Sequence, residues 1–357
     1  MRALRYHGPL DLRLEHDVPE PECLPHQVKI RPSFCGICGS DLHTYLSPVI
    51  IPYKDTPHPV TGETWPVTFG HEFAGDVVEV GSDAVQGGLR VGDRVAVQPT
   101  ICCNRCPPCK EGYPNCCNSL GFVGLMGWGG GMSDFVSVDA RFAFKLPDNV
   151  PSDIGAMVEP LAVAWHAIDQ TGIQPGGSAL VMGAGPVGIA MVQCLKARQV
   201  KEIIVVEIVP ERKDFAARLG ATVVIDPKEQ DVVAKCKELC DGQGPDAAFD
   251  CAGVAPTMKT ACRAIRHRGV VVNVAFNEKE VPFQFNDLMI GEKRIYTSVS
   301  YSIEDFRDVI EALGNGLIDV KEMITRKTTL DRVVEDGILA LMHEKDKHMK
   351  ILVDVRA

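Results

Sequence analysis

The stretch Ser178-Ala-Leu-Val-Met-Gly-Ala-Gly-Pro-Val-Gly188 joins an apolar run to a glycine-rich turn. Residues 178–182 have the composition of a buried strand, and residues 187–197 have that of a helix. In such a unit the first glycine forms the turn, the second lets a pyrophosphate approach the helix N-terminus, and the third lets the helix pack on the strand. A purely structural turn is the alternative, because the glycine pattern alone is common. In this context the pattern predicts a dinucleotide site formed by Gly183, Gly185, Pro186, Val187 and Gly188.

Apolar runs and helical stretches alternate on the C-terminal side of this turn. Further strands are predicted at residues 202–206, 221–225, 247–251 and 270–274, and helices at residues 211–219, 232–239 and 257–265. Continuous apolar strands joined by helices indicate a parallel sheet that is covered on both faces. We therefore predict an α/β protein with a Rossmann-type, doubly wound parallel sheet domain over residues 156–292.

An acidic residue, Glu207, ends the second predicted strand. A carboxylate at this position accepts hydrogen bonds from the ribose hydroxyls of the cofactor and repels a 2′-phosphate, so it favours NAD over NADP. Arg212 and Lys213 follow shortly afterwards, and their charges would favour the phosphate instead. We predict that Glu207 and Arg212 contact the cofactor and that this cofactor is NAD.

The chain on either side of residues 156–292 has a different pattern. Residues 1–155 contain short β-rich pieces at 28–31, 74–80, 94–97 and 135–138, separated by Gly and Pro, which predicts a compact β-barrel-like domain. The prolines between residues 48 and 66 indicate a surface loop. Residues 293–357 contain predicted helices at 303–313 and 333–343 and a last strand at 350–355, and we expect this segment to return to the first domain.

Composition excludes several classes of partner. The formal net charge is -10 and the chain has no basic run, so nucleic acid and anionic membranes are not expected partners. The most apolar stretch, residues 179–192, contains Gly and Pro and is shorter than a membrane span of roughly 18 residues or more. Fourteen cysteines without a secretory signal indicate reduced thiols that serve in packing or metal binding, and hence a cytoplasmic protein.

Four closely spaced cysteines form the strongest metal signal. Thiolates at this spacing repel one another unless a cation neutralises them, and a tetrahedral Zn²⁺ ion does so. Because four thiolates fill the coordination sphere, the predicted role of this zinc is structural. Cys102 and Cys116 adjoin the set as less well spaced alternatives, and free surface thiols are the alternative to a metal site. The predicted ligands are Cys103, Cys106, Cys109 and Cys117.

A second possible metal set is scattered along the chain. Cys38, His71, Glu72 and Glu159 are each ordinary residues when taken alone. Their occurrence together with a dinucleotide fold indicates a catalytic zinc site, because such a zinc needs about three protein ligands and an open position. We therefore predict two zinc ions per chain.

Several of these segments carry a family resemblance. The segments are Cys38-Gly-Ser-Asp-Leu-His43, Gly70-His-Glu72, the four-cysteine lobe, Glu159-Pro-Leu-Ala-Val-Ala-Trp-His166 and the glycine turn. In this order they resemble the zinc-containing medium-chain alcohol and polyol dehydrogenases over essentially the whole chain. The proline-rich segment that ends in His58-Pro-Val-Thr-Gly62 is most similar to that of the butanediol dehydrogenases.

The resemblance implies a fold and an active site. The first domain is expected to be a GroES-like β-barrel catalytic domain, with the active site in the cleft beside the nucleotide domain. The catalytic zinc is expected on Cys38 and His71 with Glu159 or Glu72. Ser40 is expected to accept the proton of the substrate hydroxyl and to pass it through the cofactor ribose to His43. Asp41 is interpreted as a turn or cap residue.

The same resemblance implies a reaction and an assembly. We predict a zinc-dependent, NAD(H)-linked dehydrogenase that interconverts a small vicinal diol and a hydroxyketone, such as 2,3-butanediol and acetoin. The choice of a small diol rests on the proline-rich loop at residues 47–65. As a stiff cover this loop would narrow the cleft and exclude a long polyol. A homo-oligomer, dimer or tetramer, is expected through the edge of the nucleotide sheet.

Three alternatives remain at this point. A sorbitol- or xylitol-type polyol dehydrogenase fits the zinc ligands equally well. A zinc-stabilised, dinucleotide-binding redox sensor would have a vestigial site, which the complete ligand set argues against. A zinc-free quinone reductase of the same fold leaves both metal sets unexplained.

Overall fold

The computed structural model describes residues 1–48, 54–277, 280–344 and 346–357, without the side chain of Gln86. Backbone contacts divide the chain into two compact units. The first contains residues 1–159, 302–314 and 324–357, and the second contains residues 160–301 and 315–323. Within the described residues, no helix combines the length and the apolar character that crossing a membrane requires.

Strands and helices are numbered in chain order. The strands are β1 (Ala3–Gly8), β2 (Asp11–Glu15), β3 (Gln27–Gly36), β4 (Val67–Thr68), β5 (Glu72–Val80), β6 (Arg94–Val97), β7 (Thr100–Ile101), β8 (Gly121–Phe122), β9 (Val136–Asp139), β10 (Ala143–Lys145), β11 (Ser178–Met182), β12 (Glu202–Val206), β13 (Val223–Ile225), β14 (Ala247–Asp250), β15 (Val270–Asn273), β16 (Arg294–Thr297), β17 (Ile324–Thr329) and β18 (Lys350–Asp354). The helices are α1 (Gly39–Leu46), α2 (Pro107–Lys110), α3 (Ser152–Gly155), α4 (Val158–Asp169), α5 (Pro186–Ala197), α6 (Pro210–Leu219), α7 (Val232–Leu239), α8 (Ala255–Ala264), α9 (Asn286–Met289), α10 (Ile303–Gly314) and α11 (Ala340–His343).

The first unit is built from mainly antiparallel β-structure, with one parallel pair, β17 and β18. Its largest sheet has the order β10-β6-β5-β3-β18-β17, and β9 also pairs with β3. Smaller sheets are formed by β2-β1-β4 and by β7-β8. Side chains that alternate along these strands, among them Tyr6, Ile30 and Phe73, form a fully buried core with Phe69, which directly follows β4. Strand β18 pairs with β3, and of the segment 293–357 the first unit contains residues 302–314 and 324–357.

Two strands of this sheet bring distant parts of the sequence together. In the antiparallel pair β3–β5, Gly36 lies opposite Glu72. A side chain at Gly36 would collide with the Glu72 carboxylate, so the close approach requires glycine. The loop after β3, which starts α1, therefore lies beside the first residues of β5.

The second unit contains a parallel sheet with the order β13-β12-β11-β14-β15-β16. Strand order reverses between β11 and β14, as in a doubly wound dinucleotide-binding fold. Strands β11 and β12 and helix α7 have the predicted bounds. Strand β16 was not predicted, since all four of its residues are exposed and lack the composition of a buried strand. Its presence extends the second unit to residue 301, beyond the predicted boundary at residue 292.

Two further segments differ from the prediction or lie outside it. The helix predicted at residues 333–343 is a π-helix over Val333–Leu339 that continues as α11. Gly337 in this turn packs directly against Ile37, and a β-carbon there would collide with it. The proline-rich cover predicted at residues 47–65 includes residues 49–53, which lie outside the described residues.

Two candidate metal centres and a dinucleotide turn

The scattered metal set converges at the start of α1 and β5. Donor atoms of Cys38, His71 and Glu72 all lie within 4.8 Å of one another. Cys38 is the N-cap of α1, Glu72 is the first residue of β5, and His71 directly precedes it, so the β3–β5 pairing places them together. Thiolate, imidazole and carboxylate are all zinc donors, and three protein ligands leave a position open for substrate. These three residues could therefore hold a zinc ion of the catalytic type.

Neighbouring side chains hold these donors in place. Asp41 is fully buried, and its Oδ2 accepts a hydrogen bond from the Cys38 amide at 2.9 Å. This is the capping role predicted for Asp41, but its Oδ1 also lies 3.5 Å from His71 Nδ1. A carboxylate behind a histidine ligand orients the ring and increases its basicity. Ser40 Oγ lies 3.1 Å from His71 Nε2, on the other edge of the ring.

The surroundings of His71 attract positive charge. Burial disfavours the protonated ring, but the charge and hydrogen bonding of Asp41, followed by Cys38, outweigh burial and raise the pKa of His71 well above its usual value. A buried pocket with this excess of anionic groups is suited to a cation. The donors present therefore fit a zinc ion, which would take the place of the proton.

Glu72 has a buried partner that the sequence did not reveal. Lys350 Nζ, from the first residue of β18, donates to Glu72 Oε1 at 2.8 Å and to Oε2 at 2.7 Å. It also donates to the carbonyl of Ile37 at 3.2 Å. Burial alone would lower the pKa of Lys350, but the charges of Glu72 and Cys38 raise it. A lysine at the head of the apolar run Ile351-Leu-Val353 was the available signal, since such a lysine needs a buried partner.

The remaining predicted residues of this centre lie nearby. Glu159 is buried in the first turn of α4 and lies outside the group of donors that contains Glu72. Its charge contributes to raising the pKa of Lys350. His43 lies one turn beyond Ser40 on α1 and is half-buried. The structure thus brings Glu72, rather than Glu159, together with Cys38 and His71.

The four predicted cysteines form a compact second cluster around α2. Their sulfur atoms all lie within 4.8 Å of one another. Backbone amides donate to these sulfurs: Cys103 N to Cys117 Sγ at 3.3 Å, and Cys106 N to Cys103 Sγ at 3.4 Å. Hydrogen bonds from the amides of Arg105 and then Cys106 lower the pKa of Cys103 to about 6. Burial, followed by hydrogen bonds with Cys106 and Cys117, instead raises the pKa of Cys109. Four sulfur donors this close to one another fit a structural zinc.

The two neighbouring thiols are outside the cluster. The thiol of Cys102 is buried and directed to Asn104 Oδ1 at 3.4 Å. It is not among the four cysteines whose sulfur atoms lie within 4.8 Å of one another. Cys116 is exposed. The geometry therefore selects the predicted spacing over both alternatives.

The glycine turn has the geometry of a dinucleotide fingerprint. Gly183 has φ of +96°, which favours glycine. Gly185 is the N-cap of α5 and faces open space, since no atom lies within 4 Å of a β-carbon placed there. A β-carbon on Gly188 would collide with the carbonyl of Gly183. Pro186 and Val187 form the partly exposed first turn of α5, whose free N–H groups suit a pyrophosphate.

Glu207 is tied to the same turn. Its Oε2 accepts from the Ala184 amide at 2.8 Å, and its Oε1 accepts from the amides of Ile208 and Val209 at 2.7 and 3.0 Å. A carboxylate has about four acceptor positions, so these three bonds leave capacity for a ribose hydroxyl. Arg212 is half-buried on α6.

Comparisons with known proteins agree with this geometry. The family model of the alcohol dehydrogenase GroES-like domain matches residues 24–148, and that of the zinc-binding dehydrogenase matches residues 186–315. The (R,R)-butanediol dehydrogenases of Bacillus subtilis and Neisseria gonorrhoeae are 42% and 35% identical, each match covering 99% of both chains. The crystal structure of 2R,3R-butanediol dehydrogenase from Bacillus subtilis has a TM-score of 0.93 and 40% identity, covering 99% of both chains. The predicted combination of a GroES-like and a Rossmann-type domain is therefore confirmed, and the chain belongs to the zinc-dependent alcohol dehydrogenase family of oxidoreductases.

Proposed function

We propose that this protein is a zinc- and NAD-dependent dehydrogenase that interconverts a small vicinal diol and its hydroxyketone, with 2,3-butanediol and acetoin as the substrate pair. The observation that carries the proposal is the open three-donor set of Cys38, His71 and Glu72. Similarity to butanediol dehydrogenases over nearly the whole chain supports the choice of substrate. The four-thiolate cluster serves folding rather than chemistry, since it leaves no position open.

Different residues of the site have different roles in the proposed reaction. A bound zinc supplies a Lewis acid for the substrate hydroxyl, and the nicotinamide supplies a hydride acceptor. Ser40 lies beside the donors and accepts the hydroxyl proton, and His43, one turn further along α1, transfers it towards solvent. Asp41 holds the His71 ring, and Lys350 holds Glu72.

A buried carboxylate explains why a vicinal diol is preferred. One oxygen of a diol is activated, and its neighbour can hydrogen-bond to the carboxylate of Glu159, which is buried and is not one of the three donors. A monoalcohol leaves this bond unmade. A hydrogen bond to a charged group contributes about 1.5–3 kcal/mol, which corresponds to roughly a ten- to hundredfold difference in kcat/KM.

Substrate choice is tested by ranking kcat/KM with NAD for the 2,3-butanediol stereoisomers, 2-butanol, xylitol and sorbitol under one condition. We expect at least one butanediol isomer to exceed 2-butanol by about tenfold or more, because of the second hydroxyl. If sorbitol or 2-butanol is oxidised more efficiently than every butanediol isomer, the diol proposal is wrong. The family assignment would be unaffected by that result.

The edge of the parallel sheet supports an assembly of identical chains. Strand β16 ends the sheet, and no further strand pairs with it within the described ranges. Ile295 and Tyr296 are 39% and 41% exposed on this edge, and exposed apolar edges pair with other strands unless they are covered. We propose that two copies pair through β16, as in a symmetric homo-oligomer.

We also propose a cytoplasmic location, because the cysteines of both zinc sets must be reduced to bind metal.

Sedimentation equilibrium tests this assembly. The wild-type mass is expected to be at least twice the 38.8 kDa of one chain. Tyr296→Asp should shift it towards the single chain, because the new charge would be buried at the interface. Leu10→Asp, at an exposed leucine of the first unit, is the matched control and should leave the mass unchanged. A monomeric wild-type protein would contradict the proposal.

A further inference from the structure

An ion pair links helix α6 to the end of strand β13. Lys213 Nζ donates to Asp226 Oδ2 at 2.7 Å. Asp226 directly follows β13, and its side chain is 9% exposed, whereas that of Lys213 is 26% exposed. The other oxygen, Asp226 Oδ1, accepts from the Lys228 amide at 2.9 Å. Asp226 is thus fixed in position and holds the lysine ammonium.

This ion pair lies beside the predicted ribose site. Strands β12 and β13 are parallel neighbours, and the Glu207 amide donates to the Ile225 carbonyl at 3.1 Å. Glu207 and Asp226 therefore follow adjacent strand ends at the carboxyl edge of the sheet, where open α/β sheets bind their ligands. The hydrogen bond and charge of Asp226 raise the pKa of Lys213, and the charge of Glu207 adds to this effect. The ammonium consequently lies within the field of the carboxylate that is predicted to contact the ribose.

A cation at this position has opposite consequences for the two cofactors. If the Lys213 ammonium were free to turn towards Glu207, it would offset the carboxylate charge and attract a 2′-phosphate. Held by Asp226, it forms a neutral pair, and Glu207 keeps its full repulsion of the phosphate. The sequence alone did not show whether Lys213 is free to approach a 2′-phosphate, because it does not reveal which acidic residue pairs with the lysine.

We propose that Asp226 is a positioning residue for cofactor specificity: it binds the Lys213 ammonium and so withholds it from a 2′-phosphate beside Glu207. Asp226 does not itself contact the cofactor. The inference rests on the proposed use of NAD, and it adds a second residue to the discrimination that Glu207 provides.

The test is the binding of NADH and NADPH to zinc-loaded enzyme, measured as dissociation constants by cofactor fluorescence. Asp226→Asn keeps the acceptor for the Lys228 amide but removes the charge that holds Lys213. The Kd for NADPH should fall by about tenfold, while that for NADH should change by less than about twofold, since only the phosphate gains a charged partner. The gain should shrink at high salt, because the lysine is partly exposed.

Three further variants identify the cause of the effect. Adding Lys213→Met to Asp226→Asn should abolish the gain in NADPH affinity, because the lysine provides it. Asp287→Asn is the matched control: it breaks an ion pair with Arg263 at 3.1 Å in the same unit and should leave both constants unchanged. Asp226→Ser removes the charge with a different side chain and should reproduce the gain if the asparagine variant fails to fold.

The outcomes separate this inference from the proposed function. Unchanged NADPH affinity in folded Asp226→Asn or Asp226→Ser, or a gain that persists without Lys213, overturns the role of Asp226 while NAD dependence stands. A wild-type enzyme that binds NADPH more tightly than NADH, or binds neither, overturns the proposed use of NAD as well.

Discussion

Replacing Cys38 by serine is expected to lower kcat/KM for 2,3-butanediol by more than about 100-fold in a protein that remains folded. Losing a group that only supports a metal ligand costs about 10–100-fold, so losing a ligand should cost more. A serine hydroxyl is a poor substitute for a thiolate, and only two donors of the set would remain. Steady-state kinetics, metal analysis and circular dichroism measure the effect.

Metal content is the second readout for this variant. Wild-type enzyme should contain two zinc ions per chain, and the Cys38→Ser protein should retain one, bound by the separate four-cysteine cluster. Cys23→Ser is the control, since this half-buried thiol belongs to the same unit, lies outside both donor groups, and donates to the carbonyls of Gln27 at 3.4 Å and Leu24 at 4.0 Å. A Cys38→Ser enzyme with full activity and two zinc ions would rule out the assigned catalytic centre.

Replacing Lys350 by methionine should destabilise the protein by about 3–5 kcal/mol, the typical cost of leaving one partner of a buried ion pair uncompensated. Both side chains are almost inaccessible, at 3% for Lys350 and 0% for Glu72, so water cannot replace the lost partner. Urea unfolding of zinc-free protein at neutral pH measures the change in the free energy of unfolding.

A second lysine gives the matched control. Lys327 on β17 pairs with Asp153 at 2.7 Å, but its side chain is 45% exposed. Lys327→Met should cost only about 0–1 kcal/mol, as expected for a surface pair. Equal effects of the two substitutions would show that burial does not govern the Glu72–Lys350 contact.

The parts of the fold that were predictable are those whose residues are buried on both sides. Strands β11 and β12 are apolar and buried after their first residue, because helices cover both faces of the sheet, and their bounds agree with the prediction. Strand β16 belongs to the same sheet, but it lies at the edge and is exposed. Its sequence therefore lacks the pattern on which the prediction depends.

The candidate sites show a similar division. The four cysteines lie in one short loop, so spacing alone predicted their cluster. The partner of Glu72 lies 278 residues away, and only the pairing of β18 with β3 brings it there. The spacing of residues along the sequence does not predict a contact between residues so far apart. The sequence also left open whether Glu72 or Glu159 joins Cys38 and His71, and local geometry favours Glu72.

The interior position of β18 has a consequence for biosynthesis. This strand lies between β3 and β17 in the large sheet, yet it consists of Lys350–Asp354, which are synthesised after every other described strand of the two units. Until it emerges, β3 lacks one neighbour and Glu72 lacks its counter-charge. All six strands of the parallel sheet, in contrast, are available once residue 297 has been synthesised. Because domains fold as units during translation, the unit in the middle of the chain can form its sheet before the unit that contains the N-terminus.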